Sequence, residues 1–401
     1  MNGRGAARLA FTLAGALAAA FGLVAAAAAA PFKPSDDAQI LERLPQRQAS
    51  AQQRELAALR SRSRAAPADA EAAVALAQRL FEAWAADGDP RHLGHAQAAL
   101  ARWWNEPRPD TEVRVMRAVL RQLNHEFDAA RDELRAVVAE QPEHAPAWSW
   151  LAAIAMVQAD FDAARSACAA LSRLQAEPEA SGCQAQVDAA SGRAEPAARA
   201  LAMAADAAEA ADEKALALWL LTRLAETEER LGRHEAADAS FRRALALGRG
   251  DGYLLAAYAD FLLDRGRAAE VMTLLKDEQR SDTLLLRLAI AGKRLGHANA
   301  GAHRAALTAR FDAARERGDT LHRKEEARFA LDVLGDAARA LPLAAANFQQ
   351  QREPADARLL LEAALAAAQP QAAAPALRWL NDSKLQSVVL QSLTARLQAG
   401  R

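Results

Sequence analysis

The sequence predicts an all-α fold, a right-handed α-solenoid of stacked helix–turn–helix hairpins, on three observations. The first is an internal repeat, because Ala118 and Phe127 reappear 34 residues later as Ala152 and Phe161. The second is composition: hydrophobic residues make up 52% of the chain and aromatic residues only 5%, and the strong helix formers Ala and Leu dominate. The third is that no segment alternates apolar and polar residues with the period of two that is typical of a half-buried strand.

The repeat continues along the chain, where Ala225 and Gly232 are followed 34 residues later by Ala259 and Gly266. A period of this length is that of the tetratricopeptide repeat (TPR), a helical hairpin that buries its apolar face by stacking on its neighbours. The segment Trp148–Leu171 is the best single match and resembles the TPR pattern of large, small and aromatic residues. We therefore expect a scaffold whose function lies on a surface.

Strings in the C-terminal third, notably Arg323–Phe329 and Asn347–Arg358, resemble exported bacterial TPR proteins of uncharacterised function. The resemblance implies an exported α-solenoid and brings no known activity with it. We expect a signal peptide at 1–30, an N-terminal helical cap or linker at 31–67, and a TPR-like α-solenoid at 68–401, with about seven hairpins plus C-terminal capping helices.

The N-terminus has the pattern of an export signal, since Arg4 and Arg8 precede an uncharged apolar stretch from Leu9 to Ala30. The small residues Ala25–Ala30 favour cleavage, which predicts a periplasmic protein with no stable membrane insertion. The alternative is an N-terminal membrane anchor, because the stretch is just long enough to span a bilayer.

The two cysteines, Cys168 and Cys183, fall on neighbouring helices of adjacent hairpins in the repeat phase. In an oxidising compartment this position favours a disulfide. The alternative is a pair of small buried thiols that never bond, because free cysteine is often simply a core residue.

Charge and motifs point away from several classes of function. Lys and Arg number 50 against 51 Asp and Glu, a net charge of −1, which gives no overall attraction to nucleic acid. The string His234–Asp238 begins like a zinc-protease motif but has Asp238 where a second histidine is required. His92 and His95 have a spacing that suits a metal on one helical turn, but two histidines without a third ligand more often lie on a surface. We predict no enzyme, no cofactor and no metal site.

The predicted protein-binding surface is the concave face, which the first helix of each hairpin lines in the TPR proteins that this chain resembles. It combines aromatic residues with exposed carboxylates, a mixture that suits peptide recognition. Its residues are Trp219, Glu226, Glu229, Arg230, Tyr253, Asp260, Asp264, Phe329 and Asp332. We predict an exported scaffold that binds a protein or peptide partner in the cell envelope, without catalysis. The alternative is a periplasmic assembly or maturation factor for a membrane metalloprotein, in which His92 and His95 take a transient metal.

Overall fold

The structure is a computed structural model that describes residue 36 and residues 51–174 and 176–399. The predicted signal peptide at 1–30 lies outside these residues, as does much of the predicted cap or linker at 31–67. Both therefore stay predictions.

Apart from residue 36 and Ala51, the described residues belong to one compact unit that begins at Gln52. Within the described ranges the regular secondary structure is helical, with no strand. None of these helices is long and apolar enough to cross a membrane. The α-helices are α1 (Ala51–Ala65), α2 (Ala70–Asp87), α3 (Arg91–Ala99), α4 (Thr111–Leu123), α5 (Phe127–Glu140), α6 (Ala145–Val157), α7 (Phe161–Arg173), α8 (Glu179–Ala190), α9 (Ala194–Ala210), α10 (Lys214–Arg230), α11 (His234–Ala246), α12 (Gly252–Asp264), α13 (Ala268–Leu274), α14 (Asp282–Leu295), α15 (Ala300–Glu316), α16 (Arg323–Arg328), α17 (Ala337–Gln350), α18 (Pro354–Ala366), α19 (Ala374–Ser383) and α20 (Val388–Ala399). Short 3₁₀ helices occur at Ala101–Trp103 and Pro370–Ala373, and a π-helical segment at Phe329–Leu334 continues α16.

The helices form successive hairpins that stack on one another. In each hairpin the first helix packs on the second, from the α2–α3 pair to the α16–α17 pair. The first helices also contact one another in order, from α2 and α4 through to α16 and α18. This is the arrangement of an α-solenoid, in which each unit buries apolar surface against its neighbours. The predicted all-α, TPR-like fold is confirmed.

The repeated residues hold equivalent places in successive hairpins. Phe127 and Phe161 are the first residues of α5 and α7, and Ala118 and Ala152 are buried in the helices that precede them. Small side chains at these positions let the paired helices approach closely. Gly232, in the turn after α10, has a φ of 80°, a left-handed conformation that glycine adopts without strain.

Two arginines in α4 stand where TPR units usually have apolar residues. Arg114 and Arg117 are only 6% and 4% exposed. Arg114 Nη1 lies 2.6 Å from Glu140 Oε2, while Arg117 forms an ion pair with Glu133 and donates to the carbonyl of Trp104 at 2.9 Å. A buried charge is tolerated when it is paired and hydrogen-bonded. The array therefore continues through a unit whose sequence departs from the repeat pattern.

The array returns on itself at two places. At the first, α2 contacts α12, although the two helices are far apart in sequence. At the second, the C-terminal helices meet the middle hairpins: the amide of Arg352 donates to the carbonyl of Val157 at 2.9 Å, and the amide of Ala194 donates to Gln386 Oε1 at 2.8 Å. The inner faces of the first helices therefore surround a cavity, where the sequence predicts an exposed concave face.

A disulfide joins α7 to α8. The Sγ atoms of Cys168 and Cys183 lie 1.97 Å apart, and the Cα atoms 5.6 Å apart. Both residues are buried, on neighbouring helices of adjacent hairpins. The bond therefore ties the third and fourth hairpins of the described array together.

Candidate functional site

The inner faces of the first helices border a cavity of about 1310 Å³ that is partly open to solvent, called the chamber below. Its wall includes residues from α10, α12, α14, α16 and α18, and α20 contributes from the C-terminal end. Seven of the nine residues predicted for the concave face line it. They are Glu226, Glu229, Arg230, Tyr253, Asp260, Asp264 and Asp332.

The other two predicted residues lie elsewhere. Phe329 is fully buried and packs against Phe311, with ring centroids 5.4 Å apart and ring planes tilted by 47°, so it belongs to the core. It begins a π-helical segment, which shifts side chains around the helix axis relative to a regular α-helix. Trp219 packs against α8, where a Cβ at Gly182 would lie 3.0 Å from its ring. Neither aromatic side chain lines the chamber.

One cluster on the wall joins α10 to α12. The Tyr253 hydroxyl donates to Glu226 Oε1 at 2.6 Å, and Arg223 Nη1 donates to both Glu226 Oε2 and the Tyr253 hydroxyl at 2.9 Å. The Arg223 guanidinium also lies 4.3 Å from the centre of the Tyr253 ring, a cation–π distance. Burial raises the pKa of Tyr253 above its usual value. Tyr253 is nevertheless 47% exposed, because one side of its ring faces the open space of the chamber.

Asp260 lies between two arginines. Its carboxylate oxygens are each 2.6 Å from a guanidinium nitrogen, Oδ2 from Arg287 and Oδ1 from Arg328. Burial alone would raise the pKa of Asp260, but Arg287 and Arg328 outweigh it and hold this pKa at about 2. Arg328 also reaches Asp332 at 3.1 Å. These pairs connect α12, α14 and α16 across the wall.

A partly buried ion pair connects α12 to α18. Arg358 Nη2 donates to Asp264 Oδ1 at 2.8 Å, and Arg358 Nη1 contacts the other carboxylate oxygen. Arg358 Nε donates to Glu362 Oε1 at 2.7 Å. The sequence predicts that Asp264 is an exposed carboxylate, and this expectation is wrong because the C-terminal helices return to cover it.

Glu229 and Arg230, adjacent charged residues on α10, line the wall and have no ion-pair partner among the described residues. The Glu229 side chain has neither an ion pair nor a hydrogen bond there, and its pKa is raised to about 8 by burial and then by the nearby Asp264. Arg230 donates only to the Thr227 hydroxyl, at 3.1 Å, and burial lowers its pKa. The side chains of Glu229 and Arg230 are therefore available for hydrogen bonds or ion pairs with a bound partner.

Sequence reasoning identified the acidic half of the wall and missed most of its basic half. Arg223, Arg287, Arg328 and Arg358 all line the chamber, but none is in the predicted set. A signal was present for Arg223, which lies one helical turn before Glu226 on the same face. No comparable local signal marks Arg358, because its partner is 94 residues away.

The histidines considered for metal binding lie outside this charge network. His92 Nε2 is 3.2 Å from Asp87 Oδ2, and His95 is exposed on α3. In the described part of the chain, no three His, Cys, Asp or Glu side chains form a group suited to a metal ion.

No family model matches the chain, and no curated protein matches it. Among solved structures, the crystal structure of the APC/C hetero-tetramer Cut9-Hcn1 is similar at 13% identity and a TM-score of 0.43, covering 86% of this chain and 58% of that chain. The crystal structure of the P58(IPK) TPR domain is similar at 16% identity and a TM-score of 0.25, covering 83% of this chain and 98% of that chain. Neither likeness relates the chamber to a particular ligand.

Proposed function

We propose that this protein is a TPR-like scaffold that binds a peptide, or a segment of a partner protein, in the chamber. We further propose that it does so in the cell envelope and without catalysing a reaction. The observation that carries the proposal is the chamber itself, with its wall of charged side chains presented by successive first helices.

The size and chemistry of the chamber favour a polypeptide segment. Its volume of about 1310 Å³ exceeds the roughly 300–1,000 Å³ that is usual for small-molecule pockets. Tyr253 offers an aromatic surface with a polar end, a residue type enriched in binding hot spots. Arg230 offers a cation, and Glu229 a carboxyl group whose raised pKa of about 8 keeps it protonated at neutral pH; neither forms an ion pair within the described residues. Both can bind polar groups of a peptide.

The proposal is tested by photo-crosslinking in cells that produce the full chain. The photoreactive residue p-benzoylphenylalanine replaces Tyr253 in the chamber, or Met203 on α9, which is 74% exposed. We expect discrete crosslinked partners from position 253 that are absent from position 203. The same products from both positions, or none from position 253, would contradict binding in the chamber.

The proposed envelope setting rests on the signal-like segment 1–30 and on a cysteine pair suited to an oxidising compartment. N-terminal sequencing of the protein from the periplasmic fraction should give a start between Ala25 and Phe32. Recovery of intact Met1 in the membrane fraction would instead support the N-terminal anchor.

A further inference from the structure

We propose that the contact between α2 and the α12–α14 region, called the seam, is the gate through which a partner's polypeptide segment enters the chamber. The inference rests on the proposed function, because it concerns how the chamber is loaded. It is carried by a difference between the two places at which the array returns on itself.

The seam is a close contact made largely by glycines and backbone. A Cβ at Gly88 would lie 2.6 Å from the Cβ and Oγ of Ser281, so only glycine fits there. A Cβ at Gly250 would lie 3.5 Å from the Cβ of Ala86. The C-terminal end of α2 thus contacts the loops that precede α12 and α14. Trp84, Gly88 and Ser281 also line the chamber, so the seam forms part of its wall.

Few stabilising interactions cross the seam. Among the described residues, no hydrogen bond or ion pair links 84–99 to 250–286. Within the described ranges, no buried apolar cluster contains residues from both sides of the seam. Like charges also face each other here, since Asp87 contributes to the raised pKa of Glu278, after burial and Asp277. Among the described residues, the seam is therefore held by van der Waals contact alone.

The second closure is much stronger. A single buried apolar cluster includes Ala190 of α8 together with Phe348 and Leu360 of the C-terminal helices. The Arg358–Asp264 ion pair adds charge-assisted hydrogen bonds. Regions with few buried apolar contacts and few hydrogen bonds open at the lowest free energy. When the array opens, it therefore opens at the seam, and the C-terminal closure stays shut.

The first experiment destabilises the seam with an added methyl group and measures how fast a probe reaches a thiol on the chamber wall. Ala257→Cys places a thiol on the chamber wall, and the two native cysteines are bonded to each other. In this background Gly88→Ala adds a methyl group against Ser281. Gly296→Ala is the matched control, because Gly296 has a similar φ of 62°, against 67° for Gly88, but no atom within 4 Å of its Cβ position. The probe is a bulky polyethylene-glycol maleimide, whose access to this thiol should increase when the seam opens.

We expect the probe to label the Gly88→Ala protein about tenfold faster than the Gly296→Ala protein, since overfilling a close contact costs roughly 1–3 kcal/mol. A small maleimide and circular dichroism check that the thiol is reactive and that both variants are helical. Equal labelling rates in two folded variants would overturn the proposal.

The second experiment holds the seam closed with an introduced disulfide and does not depend on the Gly88→Ala variant. Ala86→Cys with Gly250→Cys places two Cβ atoms about 3.5 Å apart, within the range that a disulfide needs. We expect oxidation of this pair to slow amide exchange at the end of α2 and the start of α12 by about tenfold or more relative to the unlocked protein. Unchanged exchange would mean that the seam does not open. Neither experiment uses a partner. A negative result in either one would therefore count against the seam, whereas absence of crosslinking at position 253 would count against the proposed function.

Discussion

Arg358 of α18 and Asp264 of α12 form a two-contact ion pair across 94 residues of sequence, with one N···O distance of 2.8 Å. The pair holds the C-terminal hairpin against the inner face that the sequence predicts as an exposed protein-binding surface. It also pairs Asp264, the carboxylate that contributes most to raising the pKa of Glu229 after burial. Closure of the array and the charge of the chamber are therefore linked through one contact.

Arg358→Met should lower the free energy of unfolding by about 1–3 kcal/mol, because it leaves Asp264 and Glu362 without their shared cation. Asp264→Asn should cost less, since Arg358 keeps Glu362. Urea denaturation measures both. Arg135→Met is the control, as its ion pair with Asp132 is 3.9 Å long with side chains 55% and 71% exposed, and it should change stability by less than about 0.5 kcal/mol. Equal effects of Arg358→Met and Arg135→Met would contradict a structural role for the closure.

Glu229 should make the protein less stable as pH rises. Its pKa is about 8 in the folded chain against an ordinary value of 4.5, so between these values the folded state holds a proton that the unfolded state has released. By linkage, the free energy of unfolding then falls with increasing pH, at up to about 1.4 kcal/mol per pH unit.

The measurement compares wild type with Glu229→Gln by urea denaturation from pH 5 to pH 9, because the amide cannot titrate. Wild type should lose stability relative to the variant up to about pH 8 and remain level above it. The Asp260 pKa of about 2 has the opposite sign but acts well below this window. A constant difference between the two proteins would show that Glu229 is ionised throughout.

The Cys168–Cys183 bond closes a short loop, with a sequence separation of 15. Its reduction should lower the free energy of unfolding by about 2–3 kcal/mol, on the chain-entropy estimate for a loop of this size. Denaturation with and without reductant measures the change, with the Cys168→Ala, Cys183→Ala protein as the control that reductant should not affect. Two free thiols in denatured, unreduced protein from the periplasm would show that no bond forms there.

Ala152 tests the repeat phase. It is 4% exposed between paired helices, so Ala152→Leu should overfill the contact and cost about 1–3 kcal/mol. Ala66→Leu is the matched control, because Ala66 is exposed after α1 and should cost less than about 0.5 kcal/mol. Thermal or urea denaturation compares them, and similar losses at both sites would place Ala152 outside the core.

The local part of the fold could be predicted because each hairpin is specified by residues close in sequence. Phe127 and Phe161 share a place in the repeat and each begins a second helix. The repeat also identified the inner face of α10 and α12, which is why Glu226, Tyr253 and Asp260 all line the chamber. Phe329 was misplaced because a period taken from regular helices does not anticipate a π-helical segment.

Closure of the array could not be predicted in the same way, since it depends on a small rotation per repeat that accumulates over many hairpins. The sequence therefore predicts an exposed carboxylate at Asp264, whereas the structure has Arg358 beside it. The sequence does not distinguish a role for Gly88 at the seam from simple helix capping, because glycine is common at the C-terminal ends of helices for capping alone. Only the position of Ser281 shows its second role at the seam.

The chamber separates charges that hold the fold from charges available to a partner, and the two classes should respond differently to neutral substitutions. Asp260→Asn should cost about 2–3 kcal/mol of stability, because Arg287 and Arg328 lose a shared carboxylate. Glu229→Gln combined with Arg230→Gln removes no ion pair. It should leave wild-type stability at pH 7 intact or slightly raised, while reducing the crosslinked product from position 253 at least about tenfold. Undiminished crosslinking in a folded double variant would show that these two unpaired groups do not contact the partner, and binding would then have to depend on other parts of the wall.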